Sequence, residues 1–198
     1  VRIMYPLITS VEEVREANAV LQEAKRELAK SGIEHKSDVP VGIMIEVPAA
    51  VAIADLLSRE VSFFSIGTND LIQFTLAVDR MNDKISHLYE PFHPAVIRQL
   101  RTVAEAARQR NIPVSVCGEM AGNPLALPIW LGLGIRELSM SPKAILRLKE
   151  ALLHTEASGC LPVLEQILQS STAAEIRKIA QDFYEATAAR ARQTHPHV

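Results

Sequence analysis

The sequence predicts an α/β protein on parallel strands, a partial TIM (β/α)8 barrel comprising the C-terminal five βα units, and three observations carry that expectation. Five short apolar runs alternate with segments of helical length. Those runs have few polar interruptions, as parallel strands covered on both faces require. Four of them end in chemically active residues, whereas an open doubly wound sheet gathers its site at one switch point. Such a barrel closes with eight strands, so three upstream units are expected to be missing, and residues 1–198 are read as one part of one domain.

The strand candidates are Ile3 to Ile8, Val41 to Val47, Val61 to Ile66, Ile112 to Cys117 and Ile135 to Met140. After the first run, Ser10-Val11-Glu12-Glu13 fits a capping box, and Val11, Val14, Leu21, Ala24 and Leu28 keep helical spacing. Val96, Ile97, Leu100, Val103, Ala104 and Ala107 form a second stripe. Ser141-Pro142 reads as a cap followed by proline at the first helical position, leading into Ile145, Leu148 and Leu152. Past Gly159 two helices follow, the second starting at Thr172-Ala173-Ala174-Glu175, and Thr194 to Val198 is expected to fray.

Composition removes several function classes. Lys plus Arg number 21 against 23 Asp plus Glu, leaving no basic excess for a nucleic-acid backbone. No apolar run approaches the roughly 20 residues of a membrane span, and no secretory signal is visible. Cys117 and Cys160 are too few and too far apart for a disulfide framework, which fits a reducing, cytoplasmic setting. The opening Val1-Arg2-Ile3-Met4-Tyr5 enters an apolar run at once, as in a chain cut from a longer one.

The polar residues at the run ends suggest a site. Glu46 closes the second run and Asp70 follows the third, so adjacent strands supply two hard oxygen ligands, the usual protein share of a Mg²⁺ site. The bland alternative for Glu46 is a buried carboxylate satisfied by backbone amides, and for Gly67-Thr68-Asn69-Asp70 a simple turn. Gly67 otherwise lets backbone amides approach an anion. Arg80 can bind phosphate or carboxylate bidentately, although an isolated arginine is more often only solvated. Cys117 can donate a proton or act as a nucleophile, against an inert buried thiol. Glu119 can orient Cys117 or bind a water, and Ser139 and Ser141 can line the mouth. The six histidines show no metal spacing, with His87 and His93 read as loop or interface residues and Cys160 as structural.

The segments Gly42 to Ala50, Phe63 to Leu71, Ala77-Val78-Asp79-Arg80, Ile85-Ser86-His87-Leu88-Tyr89 and Cys117-Gly118-Glu119 resemble enzyme I, the phosphoenolpyruvate-protein phosphotransferase of bacterial sugar uptake. The Gly-Thr-Asn-Asp and Cys-Gly-Glu motifs are shared with pyruvate phosphate dikinase and phosphoenolpyruvate synthase. The Ala-Val-Asp-Arg and Ile-Ser-His-Leu-Tyr segments point to enzyme I.

The resemblance implies a barrel of the phosphoenolpyruvate/pyruvate-binding type. It implies that Glu46 and Asp70 bind Mg²⁺, that Asn69 and Asp70 contact phosphoenolpyruvate, and that Arg80 holds its phosphate. It further implies that Cys117 protonates the enolate carbon and that pyruvate leaves. The phosphoryl group would pass to a histidine of a separate N-terminal domain and then to the histidine phosphocarrier protein, in a cytoplasmic homodimer. That domain and two further phosphate-binding arginines lie in no part of this sequence, so an incomplete site is expected. A dikinase or synthase barrel, and a non-catalytic dimerisation or sensing fragment, are the competing readings. With five strands, both sheet edges should be unpaired, apolar interior side chains should meet water, and the chain alone should self-associate or be unstable.

Overall fold

A computed structural model describes residues 1–194, so the expectation of fraying at the C-terminus falls outside the described residues from 195 onward. The elements in chain order are β1 (Ile3–Tyr5), α1 (Val11–Lys30), β2 (Val41–Ile45), α2 (Pro48–Ala52), α3 (Ala54–Leu57), β3 (Phe63–Gly67) and α4 (Thr68–Leu76). There follow α5 (Pro94–Arg110), β4 (Val114–Cys117), α6 (Leu127–Gly132), β5 (Glu137–Ser139), α7 (Pro142–Leu153), α8 (Cys160–Gln169) and α9 (Ala173–Thr194).

The local signals in the sequence act as their chemistry dictates. Ser10 caps α1 by accepting from the Glu13 N–H, while the Glu13 carboxylate accepts from the Ser10 N–H at 3.1 Å. Thr172 and Glu175 form the same reciprocal pair at the start of α9. The expected stripe of α5 is buried along its whole length, from Val96 to Ala107. In α1 only Val14 is fully buried and Ala24 is exposed, so that stripe is half covered. Likewise in α7 Leu148 is buried, but Ile145 and Leu152 are exposed.

The five strands form one parallel sheet in the order β1-β2-β3-β4-β5. This order contains no reversal. Right-handed crossovers that always step in one direction put every connecting helix on the same face, which excludes a doubly wound arrangement of these strands. The sheet is not closed, and its edges are the short β1 and β5, as expected. Several strands are shorter than their apolar runs. β1 stops at Tyr5 because Leu7 adopts a left-handed conformation (φ 52°), and β4 starts beyond Pro113, which has no N–H to donate.

Alternation divides the sheet into two unlike faces. Ile43, Ile45, Phe64, Ile66 and Val116 point toward the helices and share one core with Val96, Leu100 and Trp130. The opposite face carries Met4, Met44, Phe63, Ser65, Ser115 and Glu137, and above them Glu46, Gly67, Cys117 and Ser139. The expectation that apolar interior side chains meet water holds for Met4, which is exposed, but Phe63 is buried and the rest of this face is largely serines and carboxylates. Arg2 further screens Phe63, its guanidinium lying 5.4 Å from the ring centroid.

Gly118 is the tightest joint between β4 and α4. Its φ of 106° is hostile to side chains, and a Cβ there would collide with Thr68 Oγ1 and lie 2.8 Å from Asn69 Oδ1. Gly118→Ala should therefore cost about 1–3 kcal/mol in denaturant melts. Trp130, the one tryptophan, is fully buried in the shared core. Its emission should be blue-shifted in the native protein and move red in a single transition on unfolding, and a solvent-like native spectrum would contradict this packing.

Candidate functional site

Strand register assembles the site. Gly67 is level with Cys117, and Cys117 with Ser139, while Ile45 pairs with Ile66. Glu46 therefore falls in the same row as Gly67, Cys117 and Ser139, at the C-terminal edge of the sheet. Residues from four strands meet there on the face the helices leave free.

Glu46 is 4% exposed, and its Oε1 accepts the Leu7 N–H at 2.7 Å. The left-handed turn at Leu7 aims that N–H inward, a conformation a leucine adopts only when its surroundings impose it. The second carboxylate oxygen lies over Gly67, where a Cβ would come within 2.8 Å of Oε2, so only glycine leaves the room. Burial raises the Glu46 pKa above its ordinary value; the Leu7 bond opposes this and the adjacent Asp70 carboxyl adds to it. The two carboxyls are thus close enough to interact. Facing like charges with little protein compensation are what a divalent cation relieves, so the residues present fit one. Among the described residues no group of three or more His, Cys, Asp or Glu gathers around a common point, which leaves two carboxylates as the protein's share.

Thr68-Asn69-Asp70 is the first turn of α4, with Gly67 as its N-cap. The simple-turn alternative is thereby replaced by a helix start, whose free N–H groups and positive dipole end favour an anion. The buried Thr68 hydroxyl donates to the Cys117 carbonyl at 2.8 Å. Asn69 Oδ1 accepts the Glu119 N–H at 3.0 Å. These two bonds, with Gly118 between their partners, lock the helix start to the end of β4. Asn69, Cys117, Glu119, Ser139 and Ser141 line a cleft of about 390 Å³.

Cys117 is partly buried, and its thiol donates to the Ile66 carbonyl at 3.6 Å while Ser65 donates to the sulfur at 3.9 Å. Burial pushes its pKa above the usual thiol value, the Ser65 hydroxyl works against that, and the Glu46 and Asp70 charges add to it. The result is a protonated thiol at neutral pH, a proton donor more than a resting thiolate nucleophile.

Arg80 is half-buried and lies on the chain just beyond α4. The helix ends at Ala77 in a left-handed turn, and Gln73 then takes two bonds from the returning chain: Val78 N–H to its carbonyl at 3.0 Å and Arg80 N–H to Oε1 at 3.1 Å. Tyr89 closes this loop by donating its hydroxyl to the Asn69 carbonyl at 3.2 Å. Burial pushes the Tyr89 phenol up to about 12, with Arg80 pulling it down and Glu119 and Asp70 pushing it up. The charges of all three groups therefore act on this one hydroxyl.

The structure thus brings Glu46, Asn69, Asp70, Cys117 and Arg80 to one end of the sheet. Glu119 engages through its backbone, its side chain being exposed, so no contact makes it the orienting partner of Cys117. His87 is exposed, and His93 caps α5 by accepting the Ala95 N–H at 3.2 Å. Cys160 is fully buried, its thiol directed to the Glu156 carbonyl, as a structural cysteine should be. Reading residues one by one missed Leu7, Ser65, Thr68, Gln73 and Tyr89 as parts of the site. Tyr89 lay in the quoted Ile85-to-Tyr89 segment and Ser65 and Thr68 in the quoted Phe63-to-Leu71 segment, whereas Leu7 and Gln73 lay outside the quoted segments.

Residues 1–157 match the family described as PEP-utilising enzyme, PEP-binding domain. The phosphoenolpyruvate-protein phosphotransferases of Priestia megaterium and Bacillus subtilis (strain 168) are each 46% identical to this chain over 88% of its length. That of Listeria monocytogenes is 41% identical over 92%. The chain covers 30%, 31% and 32% of these relatives' own lengths. Among solved structures, a citrate lyase from Burkholderia xenovorans matches 98% of this chain and 64% of its own at a TM-score of 0.55 and 18% identity, a likeness of fold alone. The extent of the family match leaves one assignment: this chain belongs to the PEP-binding domain family of PEP-utilising enzymes.

Proposed function

We propose that this chain is the phosphoenolpyruvate-binding part of a phosphoenolpyruvate-protein phosphotransferase, the enzyme I of bacterial sugar uptake. The observation that carries the reading is the convergence of the buried Glu46 and the half-buried Asp70, a helix N-terminus, an arginine and a protonated thiol at one end of the sheet. In this reading Glu46 and Asp70 hold Mg²⁺, Asn69 and Asp70 contact the substrate, and Arg80 binds its phosphate. Mg²⁺ when bound neutralises charge on the transferred phosphoryl group.

The chain's own residues divide the remaining work. The amides at the α4 N-terminus and Arg80 receive negative oxygens of the same substrate. Enolpyruvate left after transfer takes the Cys117 proton at carbon, and the carbonyl of pyruvate forms as the enolate electrons shift. The phosphoryl group passes to a histidine of a separate domain and on to the histidine phosphocarrier protein. The reading carries with it a cytoplasmic homodimer and closure of the barrel by three upstream βα units. The edge strands and the exposed Ile145, Leu146, Leu152 and Leu153 of α7 are surfaces those units would cover. The phosphotransferase relatives favour it over a dikinase or synthase.

The test uses the full-length protein with phosphoenolpyruvate and Mg²⁺. Pyruvate should form in proportion to added phosphocarrier protein without any nucleotide. A strict requirement for a nucleotide would move the chain to the dikinase or synthase class. Cys117→Ala should lower pyruvate formation by about 10²–10⁴-fold and change phosphoenolpyruvate binding little. Because the thiol works protonated, parental turnover should decline as pH rises through its raised pKa.

The metal role has its own readout. Glu46 is a carboxyl with a raised folded-state pKa, so the metal-free fold loses stability as pH rises through that value. Glu46→Gln should raise the melting temperature of metal-free protein at neutral pH. Mg²⁺ should stabilise the parent protein in melts and leave this variant unmoved. A variant still stabilised by Mg²⁺ would place the ion elsewhere.

A further inference from the structure

Arg80 poses a mechanical problem. A guanidinium on a long flexible stem binds an anion well only if its position is set before the anion arrives, since ordering it on binding costs affinity. Gln73 holds the Arg80 backbone from one side, by the bond to its N–H. Nothing in that bond fixes where the loop beyond Arg80 lies against the helix start. Tyr89 does.

We propose that Tyr89 is a positioning residue, its hydroxyl tying the Arg80 loop to the carbonyl of Asn69 so that Arg80 and the α4 N-terminus face the bound anion at a preset separation. The proposal rests on the reading of Arg80 as the phosphate holder. A buried tyrosine that merely satisfies its hydroxyl is the ordinary alternative. Two features go beyond it. The Asn69 carbonyl already has a helical partner within α4, so the hydroxyl adds a bond that carbonyl does not need. The hydroxyl also feels the charges of Arg80, Asp70 and Glu119, residues of the candidate site.

The geometry explains how such a short link can work. The Tyr89 ring packs against the main core, and its N–H donates to the Ser86 carbonyl at 3.0 Å, so the ring is fixed at its base. Its tip then reaches Asn69, whose side chain is in turn fixed to Glu119 N–H. Arg80 lies on the chain between the two anchors, Gln73 at one end and Tyr89 at the other. Its half-buried side chain forms no salt bridge among the described residues, which leaves its charge available to a ligand.

Tyr89→Phe in the full-length protein keeps the ring and removes the hydroxyl. The KM for phosphoenolpyruvate should rise about three- to tenfold, the range of one lost hydrogen bond. The kcat should stay within about twofold, and the melting temperature within about 2 °C. Gln73→Leu, which frees the Arg80 backbone at the other anchor, should reproduce the KM effect. In an Arg80→Ala background Tyr89→Phe should add nothing, because a residue acting through Arg80 loses its target. An unchanged KM in Tyr89→Phe, or an equal rise with and without Arg80, overturns the proposal. Parental KM in Arg80→Ala alone would remove the reading of Arg80 itself and the proposal with it.

Discussion

A carboxylate buried at the end of a strand is the constraint from which the rest of this site follows. Glu46 is 4% exposed, beside a second acid, with one backbone N–H as its neutral partner. Burying a charge with so little compensation is unfavourable, and a protein keeps it only when the neighbourhood is arranged around it. Gly67 gives up a side chain to make room for it. Leu7 accepts a left-handed backbone to donate to it. The cost falls on conformation in both cases, and it leaves one carboxylate edge directed at Asp70.

The second level of organisation is the direct passage from β3 into α4. With no linker between Gly67 and Thr68, the helix N-terminus is delivered to the row that holds Glu46 and Cys117. Small displacements there would separate the groups, and three bonds prevent them: Thr68 to the Cys117 carbonyl, Glu119 N–H to Asn69, and Tyr89 to the Asn69 carbonyl. Two of these bonds join the helix start to the end of β4 and the third joins it to the loop at Tyr89. The site is rigid because its supports come from several directions, not because any single one is strong.

The two sheet faces show how one set of strands serves both stability and chemistry. The helix-facing side is aliphatic and aromatic and closes into the main core. The free side carries small and polar groups, among them the nearly buried Ser65 that addresses the Cys117 sulfur. Alternation makes this division possible, since neighbouring residues on one strand serve opposite masters. Phe64 stabilises the core while Ser65 faces the thiol, and Ile45 packs while Glu46 turns to the free face.

The sequence by itself determined what depends on local periodicity and on residue type. Apolar runs and spacing are enough to specify five parallel strands and their helices, and the reciprocal Ser10–Glu13 cap was legible because both partners lie within one turn. The candidate residues Glu46, Asn69, Asp70, Arg80 and Cys117 were legible because each follows an apolar run or lies in a recognisable motif. Only the tertiary structure decided how they meet. The row linking Glu46, Gly67 and Cys117 is a matter of register, and register is set by pairing across strands that single-strand patterns do not encode. The roles of Leu7, Gln73 and Tyr89 come from a left-handed turn and from bonds that bring distant backbone groups together, and a residue's type does not announce which carbonyl it will reach.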